Sequence, residues 1–414
     1  MTLIHMTLND IKVAFFIAFK TVVKGSKSVT ALLIIVLSLV FFNLLFIKGF
    51  LTGFSTGILN SMIENGTGHI VLLPQEAPLQ KNFIINQREL RNQIETIPGI
   101  IATTRHYVLS GAVAYDKDKN GQLRYVSAPI IGINQLEEKK LIRINEHMVS
   151  GEFPDELKDD EVIIGSNLAG GYEAIQNTDL GGVTAGKKVQ IVYSNGLSKI
   201  YTVKGVFNVT IGFVGSDAFI SDKEAERVLS TYNQASEILI KTDLTRHSLA
   251  EYVAKVRTIA PELRIEPYTK RLAAVGVLIT SFNLISFIIG IISIIVAAAT
   301  IFIMIYINAL SKKKQIGIIK AIGIKTLSIE ISYILQALFF SSLAVVVGIL
   351  FFYFVVKPYL IANPIHMPYG DALLVITFKQ VIINGIYMII AAVIAGFASS
   401  RIISKKQIVE TIWG

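Results

Sequence analysis

The sequence contains no cysteine and one tryptophan among its 414 residues. Without cysteine the chain can form neither a disulfide nor a thiolate zinc site, an iron–sulfur cluster or a cysteine nucleophile. Charged residues are also scarce, at 17%, where soluble domains carry about 25%. Hydrophobic residues make up 52%, and the mean hydropathy is +0.57. This composition excludes a disordered chain and a water-soluble enzyme, and it predicts a membrane protein.

Four long stretches lack any charged residue, and all ten prolines lie outside them. A hydrocarbon core of about 30 Å needs about 20 apolar residues, so each stretch can form an unbroken spanning helix. The stretches are residues 28–47, 272–311, 331–356 and 380–400. The second is twice the length that one span needs and holds no turn signal. We expect one helix of about 60 Å there, whose first part, to about Ser281, stands outside the bilayer as a stalk.

Basic residues are concentrated at the ends of these stretches. Three short segments, which precede the first stretch, join the second to the third and follow the fourth, hold 12 basic residues. The positive-inside rule places all three in the cytoplasm. The large segment 48–271 holds 25 basic and 26 acidic residues, so the pI of 9.4 reflects topology rather than nucleic-acid binding. We predict a multi-pass protein of a bacterial cytoplasmic (inner) membrane with both termini cytoplasmic.

The segment before the first span is amphipathic. Ile11, Phe15, Phe19 and Val22 recur at helical spacing, with lysines between them. This pattern predicts a helix that lies on the cytoplasmic surface of the lipid bilayer.

Residues 51–271 predict an α+β extracytoplasmic domain. Two strand–helix–strand patterns, at 69–115 and 237–266, have similar lengths, and we expect them to pair as one ferredoxin-like, split βαβ porter layer. Between them, residues 117–235 consist of short strand patterns with glycine turns. Lys188–Tyr193 and Lys199–Phe207 flank an Asn-Gly pair, a strong hairpin signal. We therefore predict a β-rich insertion.

Two segments partly match ligand-binding motifs. Gly181–Lys188 (GGVTAGKK) has a lysine where a P-loop has the hydroxyl that holds magnesium, and a strand pattern follows. Asp116–Gly121 starts like an EF-hand loop, but position twelve is Ser127 instead of glutamate. Both are better explained as turns. His69 and His106 lie in predicted strands, which indicates structural roles. We predict no catalytic residue, no cofactor-binding residue and no metal site in this chain.

The segment Lys312–Gly323 (KKKQIGIIKAIG) resembles the basic run and E-I-G-x-L-[KR]-A-[LI]-G motif of the FtsX-like permease family of MacB/Lol-type ABC transporters, with Gln315 in place of the usual glutamate. Gly66–Leu72 (GTGHIVL) is most similar to the lipoprotein-releasing (LolC/LolE-like) branch. Further similar segments are Gly151–Phe153, Asp160–Ala169, Gly186–Val189, Tyr201–Phe207, Gln336–Leu338, Ser400–Arg401 and Lys406–Trp413.

This resemblance implies a non-catalytic permease subunit in which ATP and magnesium bind to a separate cytoplasmic ABC ATPase. It also implies a second permease copy or paralogue as partner, with a lipoprotein or a periplasmic chaperone as further partners. The implied function is mechanical work on an extracytoplasmic substrate, foremost lipoprotein release. Two alternatives remain: export of a lipid, peptide or toxic hydrophobe, and FtsX-like transmembrane signalling to a cell-wall hydrolase.

The resemblance places the coupling to the ATPase between the second and third spans. Ile316, Ile319 and Ile322 recur at helical spacing there, and Gly323 is expected to end the helix. Gly317 and Ala321, four apart, are expected to admit close packing. The predicted ATPase-coupling residues are Lys313, Lys314, Ile316, Gly317, Lys320, Ala321, Gly323 and Lys325, and the predicted helix-packing residues, at small-x-x-x-small spacing, are Ala344 and Gly348.

The predicted organisation has nine segments along the chain. They are the cytoplasmic amphipathic helix 1–27, the first span 28–50, the extracytoplasmic domain 51–271 with its insertion 117–235, the second span and stalk 272–311, the coupling loop 312–326, the third span 327–356, an extracytoplasmic loop 357–379, the fourth span 380–400 and the cytoplasmic tail 401–414.

Overall fold

The computed structural model describes residues 8–75, 83–118, 120–172, 179–209, 213–363, 365–367, 370–372 and 374–404. Several predicted features lie partly outside these residues: the amphipathic segment 1–27, the extracytoplasmic domain with its insertion and the Lys119 turn, the loop 357–379, and the tail beyond Ser404 with Lys406–Trp413. The chain divides into two compact units. The membrane unit comprises Met1–Ser55, Leu278–Ile365 and Asp371–Gly414, and the α+β unit comprises Thr56–Val277 and His366–Gly370.

Among the described residues, four helices are long and apolar enough to cross a membrane, and they coincide with the four uncharged stretches of the sequence. We call them TM1 (Lys27–Met62), TM2 (Ala273–Ser311), TM3 (Thr326–Phe351) and TM4 (Phe378–Ser404). TM2 is a single helix of 39 residues, so the single-helix interpretation of the long uncharged run is confirmed.

Two of these helices extend beyond the ends that the sequence predicts. TM1 continues past residue 50 to Met62 and ends in a π-helical turn, Ile63–Thr67. TM3 continues past residue 356 through a second π turn, Phe352–Val356, and a short helix, Lys357–Ala362. Charge ends the hydrophobic stretches at Lys48 and Lys357, but a charged residue does not stop a helix. Pro358 is tolerated because it lies in the first turn of that short helix, where its missing N–H is not needed.

Close approaches of small residues hold the spanning helices together. A Cβ atom on Gly396 of TM4 would lie 2.7 Å from the Cβ of Ala337 on TM3 and 3.3 Å from Ile305 Cδ1 on TM2. Leu37 and Phe41 of TM1 are fully buried in the same apolar cluster. Helices in lipid gain little from hydrophobic burial, so such contacts supply much of their packing energy.

The segment before TM1 forms a surface helix, Leu8–Lys24. Ala14 and Ala18 are buried, while the large apolar side chains of the opposite face are exposed. Val22 belongs to the apolar pattern of the sequence, but it packs against the apolar cluster of the membrane unit. The exposed apolar residues are Ile11, Phe15, Phe16, Phe19 and Val23.

The α+β unit is built on a ten-stranded sheet with the order β12-β1-β11-β3-β4-β9-β6-β8-β5, in which β7 pairs with β3 and β8. Its strands are β1 (Ile70–Leu73), β3 (Ile100–Tyr115), β4 (Arg124–Ile133), β5 (Met148–Gly151), β6 (Glu161–Gly165), β7 (Lys188–Tyr193), β8 (Ser198–Phe207), β9 (Ala218–Ser221), β11 (Glu237–Thr242) and β12 (Arg264–Pro267). A separate pair joins β2 (Ile84–Ile85) to β10 (Gln234–Ala235), and a hairpin joins β13 (Ile365–Met367) to β14 (Gly370–Ala372).

The helices of this unit are α1 (Gln87–Glu95), α2 (Gln135–Leu141), α3 (Ser166–Ala169), α4 (Asp222–Leu229), α5 (Leu249–Ile259) and α6 (Tyr268–Arg271). Three of them start with a capping signal that is visible in the sequence. The side chains of Asn134, Ser221 and Ser248 each accept the backbone N–H of the glutamate three residues later, at the start of α2, α4 and α5.

Apart from β10, which pairs with β2, the described strands of the predicted insertion belong to the same sheet as the strands of the flanking layer. The long strand β3 connects the two parts of the sheet. Its first half, Ile100–His106, pairs with β11, and its second half pairs with β4 and β7. The Asn-Gly hairpin joins β7 to β8 as predicted.

Candidate functional site

The segment that joins TM2 to TM3 forms a short helix, Lys313–Ala321, which we call the coupling helix. It starts directly after TM2, because Lys312 leaves the helical conformation with φ −103° and ψ 16°. Gly323 ends it, as predicted. The φ of Gly323 is +92°, Ile324 N–H donates to Ile319 O, and Gly323 N–H donates to Lys320 O. These two bonds form a Schellman motif, which favours glycine at that position.

The coupling helix has one face buried in its own chain. Ile316 and Gly317 are buried, and Ile319 packs against the apolar cluster of the membrane unit. The opposite face carries Ile318 and Ile322, whose side chains are 58% and 72% exposed.

One expectation is therefore corrected. Ile322 does not continue the stripe of Ile316 and Ile319, because the helix ends at Ala321 and Gly323 then reverses the chain. Gly317 is buried and Ala321 is exposed, so the close packing of both residues stays a prediction.

The lysines of the segment have different surroundings. Lys325 Nζ lies 2.9 Å from Asp10 Oδ2 on the surface helix, so the structure shows this lysine paired within the chain. Burial lowers the pKa of Lys320, and Glu330 partly opposes this shift. Lys313 is half-buried, and Lys314 is exposed.

Sequence reasoning missed the role of Asp10. The signal was present, because Asp10 is the first acidic residue of the chain and the next is Glu64. A single carboxylate among the lysines of this end of the chain is a marked feature. Its partner could not be identified, since 315 positions separate Asp10 from Lys325.

The two residues assigned to helix packing are both buried in TM3. Gly348 lies against TM1: a Cβ atom there would be 2.9 Å from Phe41 Cδ1 and 3.2 Å from Ser38 O. Ala344 belongs to the apolar cluster of the membrane unit. This spacing thus places TM3 next to TM1.

The partial ligand-binding motifs are turns in the structure. The glycines of Gly181–Lys188 adopt positive φ at three positions, and the segment runs directly into β7. Asp116 closes the turn after β3 by accepting the backbone N–H groups of Asn120 and Gly121.

His106 lies in a buried charge cluster that the sequence did not reveal. Its Nε2 is 3.0 Å from Glu138 Oε1 on α2, and its Nδ1 is 3.4 Å from Glu237 Oε1 on β11. Burial by itself would lower the pKa of His106, but the two glutamates outweigh it and raise the pKa to about 10. Glu237 also binds Arg271, at 2.7 Å. His106 is therefore a doubly protonated link between two carboxylates.

The family model described as FtsX-like permease C-terminal matches residues 287–408. This part of the chain is similar to the C-terminal part of FtsX-like permeases. The match covers most of TM2, the coupling helix, TM3 and TM4, and it confirms for this region the resemblance seen in Lys312–Gly323.

Two solved structures are similar to the chain. The periplasmic region of MacB from Actinobacillus actinomycetemcomitans is 12% identical, with 53% of this chain and 97% of that chain covered and a TM-score of 0.35. The extracellular domain of the noncanonic ABC-type transporter YknZ from Gram-positive bacteria is 14% identical, with 48% and 98% covered and a TM-score of 0.32. Scores this low support no inference about this chain.

Proposed function

We propose that this chain is the permease subunit of an ABC transporter whose ATPase is a separate cytoplasmic protein. The observation that carries the proposal is the FtsX-like domain at residues 287–408, together with four apolar helices of spanning length. ATP and magnesium would bind to the partner ATPase, since the P-loop-like segment of this chain lacks the required hydroxyl and helix. A second permease copy or paralogue completes the proposed complex.

The proposed location is a bacterial inner membrane, with both termini and the coupling helix in the cytoplasm and the α+β unit outside. The distribution of lysine and arginine supports this orientation. Cysteine labelling tests it without background, because the native chain has no cysteine. Ser194→Cys and Ser311→Cys place single thiols at two exposed positions. An impermeant maleimide should label Ser194→Cys from outside only, and labelling of both from one side would contradict the topology.

The two faces of the coupling helix suggest how it would transmit force. The buried face, with Ile316 and Gly317, anchors it to the membrane unit. The exposed face, with Ile318 and Ile322, remains available for the ATPase. In this proposal Lys314 and the half-buried Lys313 and Lys320 contact the ATPase at the edges of the exposed face. Lys325 instead binds the surface helix through Asp10.

Ile322→Asp tests this arrangement, with Leu197→Asp as a matched control on an exposed hairpin of the α+β unit. A carboxylate buried unpaired at an interface should reduce ATPase co-purification by about tenfold or more. Substrate-stimulated ATP hydrolysis should fall with it, and Leu197→Asp should leave both unchanged. If Ile322→Asp retained wild-type co-purification and hydrolysis, the exposed face would not be the ATPase contact.

Gly317→Leu should act differently, because Gly317 is buried within the chain. We expect it to destabilise the membrane unit itself. Loss of the purified permease, rather than loss of ATPase binding by an intact permease, should be the first effect.

We further propose a ferredoxin-like, split βαβ layer in the α+β unit. Its support is the strand order β12-β1-β11-β3, in which every pair is antiparallel, with α1 after β1 and α5 after β11.

The substrate that we propose is a lipoprotein, which the transporter releases from the membrane. The similarity of Gly66–Leu72 to the lipoprotein-releasing branch supports this proposal. ATP-dependent transfer of a lipoprotein from proteoliposomes to a soluble chaperone tests it directly. Export of a lipid, peptide or toxic hydrophobe would instead appear as ATP-dependent loss of that compound. Signalling would appear as activation of a cell-wall hydrolase without transfer of any substrate.

A further inference from the structure

A cavity of about 450 Å³ lies within the α+β unit. It falls in the size range of small-molecule sites, about 300–1,000 Å³. Its lining combines apolar side chains with amide and charged ones. The lining residues used below are Met62, Asn65, His106, Ile142, Asp217, Phe219, Glu237, Glu266, Lys270 and Arg271.

The positive groups that line the cavity already have carboxylate partners. His106 lies between Glu138 and Glu237, at 3.0 and 3.4 Å. Arg271 donates to Glu237 at 2.7 Å, and Lys270 Nζ lies 3.8 Å from Glu266. An anion entering the cavity would therefore have to break an existing ion pair.

Two acceptors that line the cavity have no such partner. Asp217 and Asn65 are each only 5% exposed. The Oδ1 atom of each is buried without a hydrogen-bond partner among the described residues. Buried polar atoms in native proteins are nearly always hydrogen-bonded. Two unpaired acceptors on residues that line one cavity thus point to a ligand that donates hydrogen bonds.

We propose that this cavity binds a small organic ammonium ion. The ammonium group donates to Asp217 Oδ1 and Asn65 Oδ1, and the apolar body of the ligand packs against Met62, Ile142 and Phe219. A bare metal ion fits less well, because the described residues contain no group of three or more acidic, histidine or cysteine side chains arranged to hold one. The apolar side chains of the lining would also contribute nothing to the binding of a metal ion.

The binding is linked to a proton. Burial raises the pKa of Asp217 to about 8, with Glu237 from β11 acting in the same direction and His106 from β3 opposing it. Glu266, Lys270 and Arg271 also line the cavity. An ammonium ion pairs best with the ionised carboxylate, so binding below about pH 8 must displace a proton. The affinity should therefore rise by about tenfold per pH unit up to about pH 8 and then level off.

Equilibrium dialysis of the full chain in detergent tests the proposal with three probes of matched size. They are the 2-phenylethylammonium ion, the neutral 2-phenylethanol and the anion 3-phenylpropionate, each corrected with protein-free detergent. Saturable binding of one equivalent of the ammonium probe, with no saturable binding of the other two, is expected. Equal uptake of all three, or saturable uptake of none, would overturn the proposal. The test uses no ATPase, so its outcome is independent of the permease proposal.

Asp217→Asn locates the site, with Asp118→Asn in an exposed turn as the matched control. Asparagine has nearly the shape of the protonated carboxyl group, so the fold should survive. Affinity for the ammonium probe should fall at least tenfold and lose its pH dependence, whereas Asp118→Asn should bind as the native chain does. Unchanged affinity in Asp217→Asn would overturn the assignment.

If Asp217→Asn fails to fold, proton release by the native chain gives the same answer. Calorimetric titration with the ammonium probe at about pH 7, in two buffers of different ionisation enthalpy, should show release of about one proton. Binding without proton release would exclude Asp217 as the anionic partner.

Discussion

The membrane unit and the α+β unit are held together by different interactions. In the membrane unit, small residues bring helix backbones together, as at Gly348 and Gly396, and polar side chains bond within their own helix. Ser38 and Ser332, for example, donate to the carbonyls of Ile34 and Ile329. In the α+β unit, strands pair over long distances in sequence, and buried charges pair across elements, as at His106.

The solvent explains the difference. Water drives apolar side chains together, so a sheet domain gains stability from burial. This gain offsets the desolvation cost of a buried ion cluster. Lipid is as apolar as the side chains it surrounds, so burial gains little and close contact gains most. The same substitution should therefore have different costs in the two units. Hydrogen exchange of peptides from each unit measures the two stabilities separately.

The largest effect is expected for His106→Ala in the α+β unit. Removing the imidazolium leaves Glu138 and Glu237 close together without their shared partner, and breaking a buried ion pair costs about 3–5 kcal/mol. Hydrogen exchange of β3 and β11 should accelerate accordingly, while peptides of TM3 remain unchanged. The exposed His147→Ala serves as the control. A similar effect of both variants would mean that the cluster contributes no stability.

The stability of the α+β unit should also fall as the pH rises from about 6.5 to 10. The pKa of His106 is raised to about 10 in the folded state, so its contribution is complete below its unfolded pKa of 6.5 and is lost toward about pH 10. The pKa of Asp217 is raised to about 8, so the folded state also loses stability between about pH 4 and 8 through this group. Unfolding by denaturant at several pH values measures the slope. Asp217→Asn should flatten its lower part, and a stability that increases throughout this range would contradict both assignments.

A moderate effect is expected for Gly348→Val in the membrane unit. The new side chain would press against Phe41 and the Ser38 carbonyl of TM1, and overpacking costs about 1–3 kcal/mol. Gly290→Val in TM2 is the matched control, because no atom of the described part of the chain lies within 4 Å of its Cβ position. The midpoint of thermal unfolding in detergent compares the two variants. Equal losses would show that contact between TM1 and TM3 is not what holds this unit.

The smallest effect is expected for Gly323→Ala at the end of the coupling helix. Its Cβ would meet no atom of the described residues within 4 Å, so the cost comes from the φ of +92° and should be about 1 kcal/mol. Gly276→Ala, also without a described atom within 4 Å of its Cβ but inside a helix and without a positive φ, should not lower stability, because alanine favours a helix interior over glycine. The difference between the midpoints of thermal unfolding of the two variants measures the cost of the positive φ. A neutral Gly323→Ala would show that the helix ends without help from the glycine.

Local patterns in the sequence predicted much of the fold. Uncharged runs located all four spanning helices, and alternation of apolar residues located β3, β7 and β8 to within a residue. The ends of TM1 and TM3 were misplaced because charge, which limits a hydrophobic stretch, does not end a helix. The prediction of the coupling helix and of Gly323 succeeded because both depend on neighbours a few residues away.

The sequence by itself determined which segments are apolar enough to cross a membrane, where helices are capped and where glycine turns the chain. Those properties depend on residues within a few positions of one another. Tertiary structure alone decided that β3 joins the two parts of the sheet, that Gly317 faces its own chain, and that Lys325 binds Asp10. It also placed His106 between two glutamates, and it left Asp217 Oδ1 without a hydrogen-bond partner among the described residues. Such contacts join residues that lie far apart along the chain, and their energy depends on burial, which a local pattern does not record.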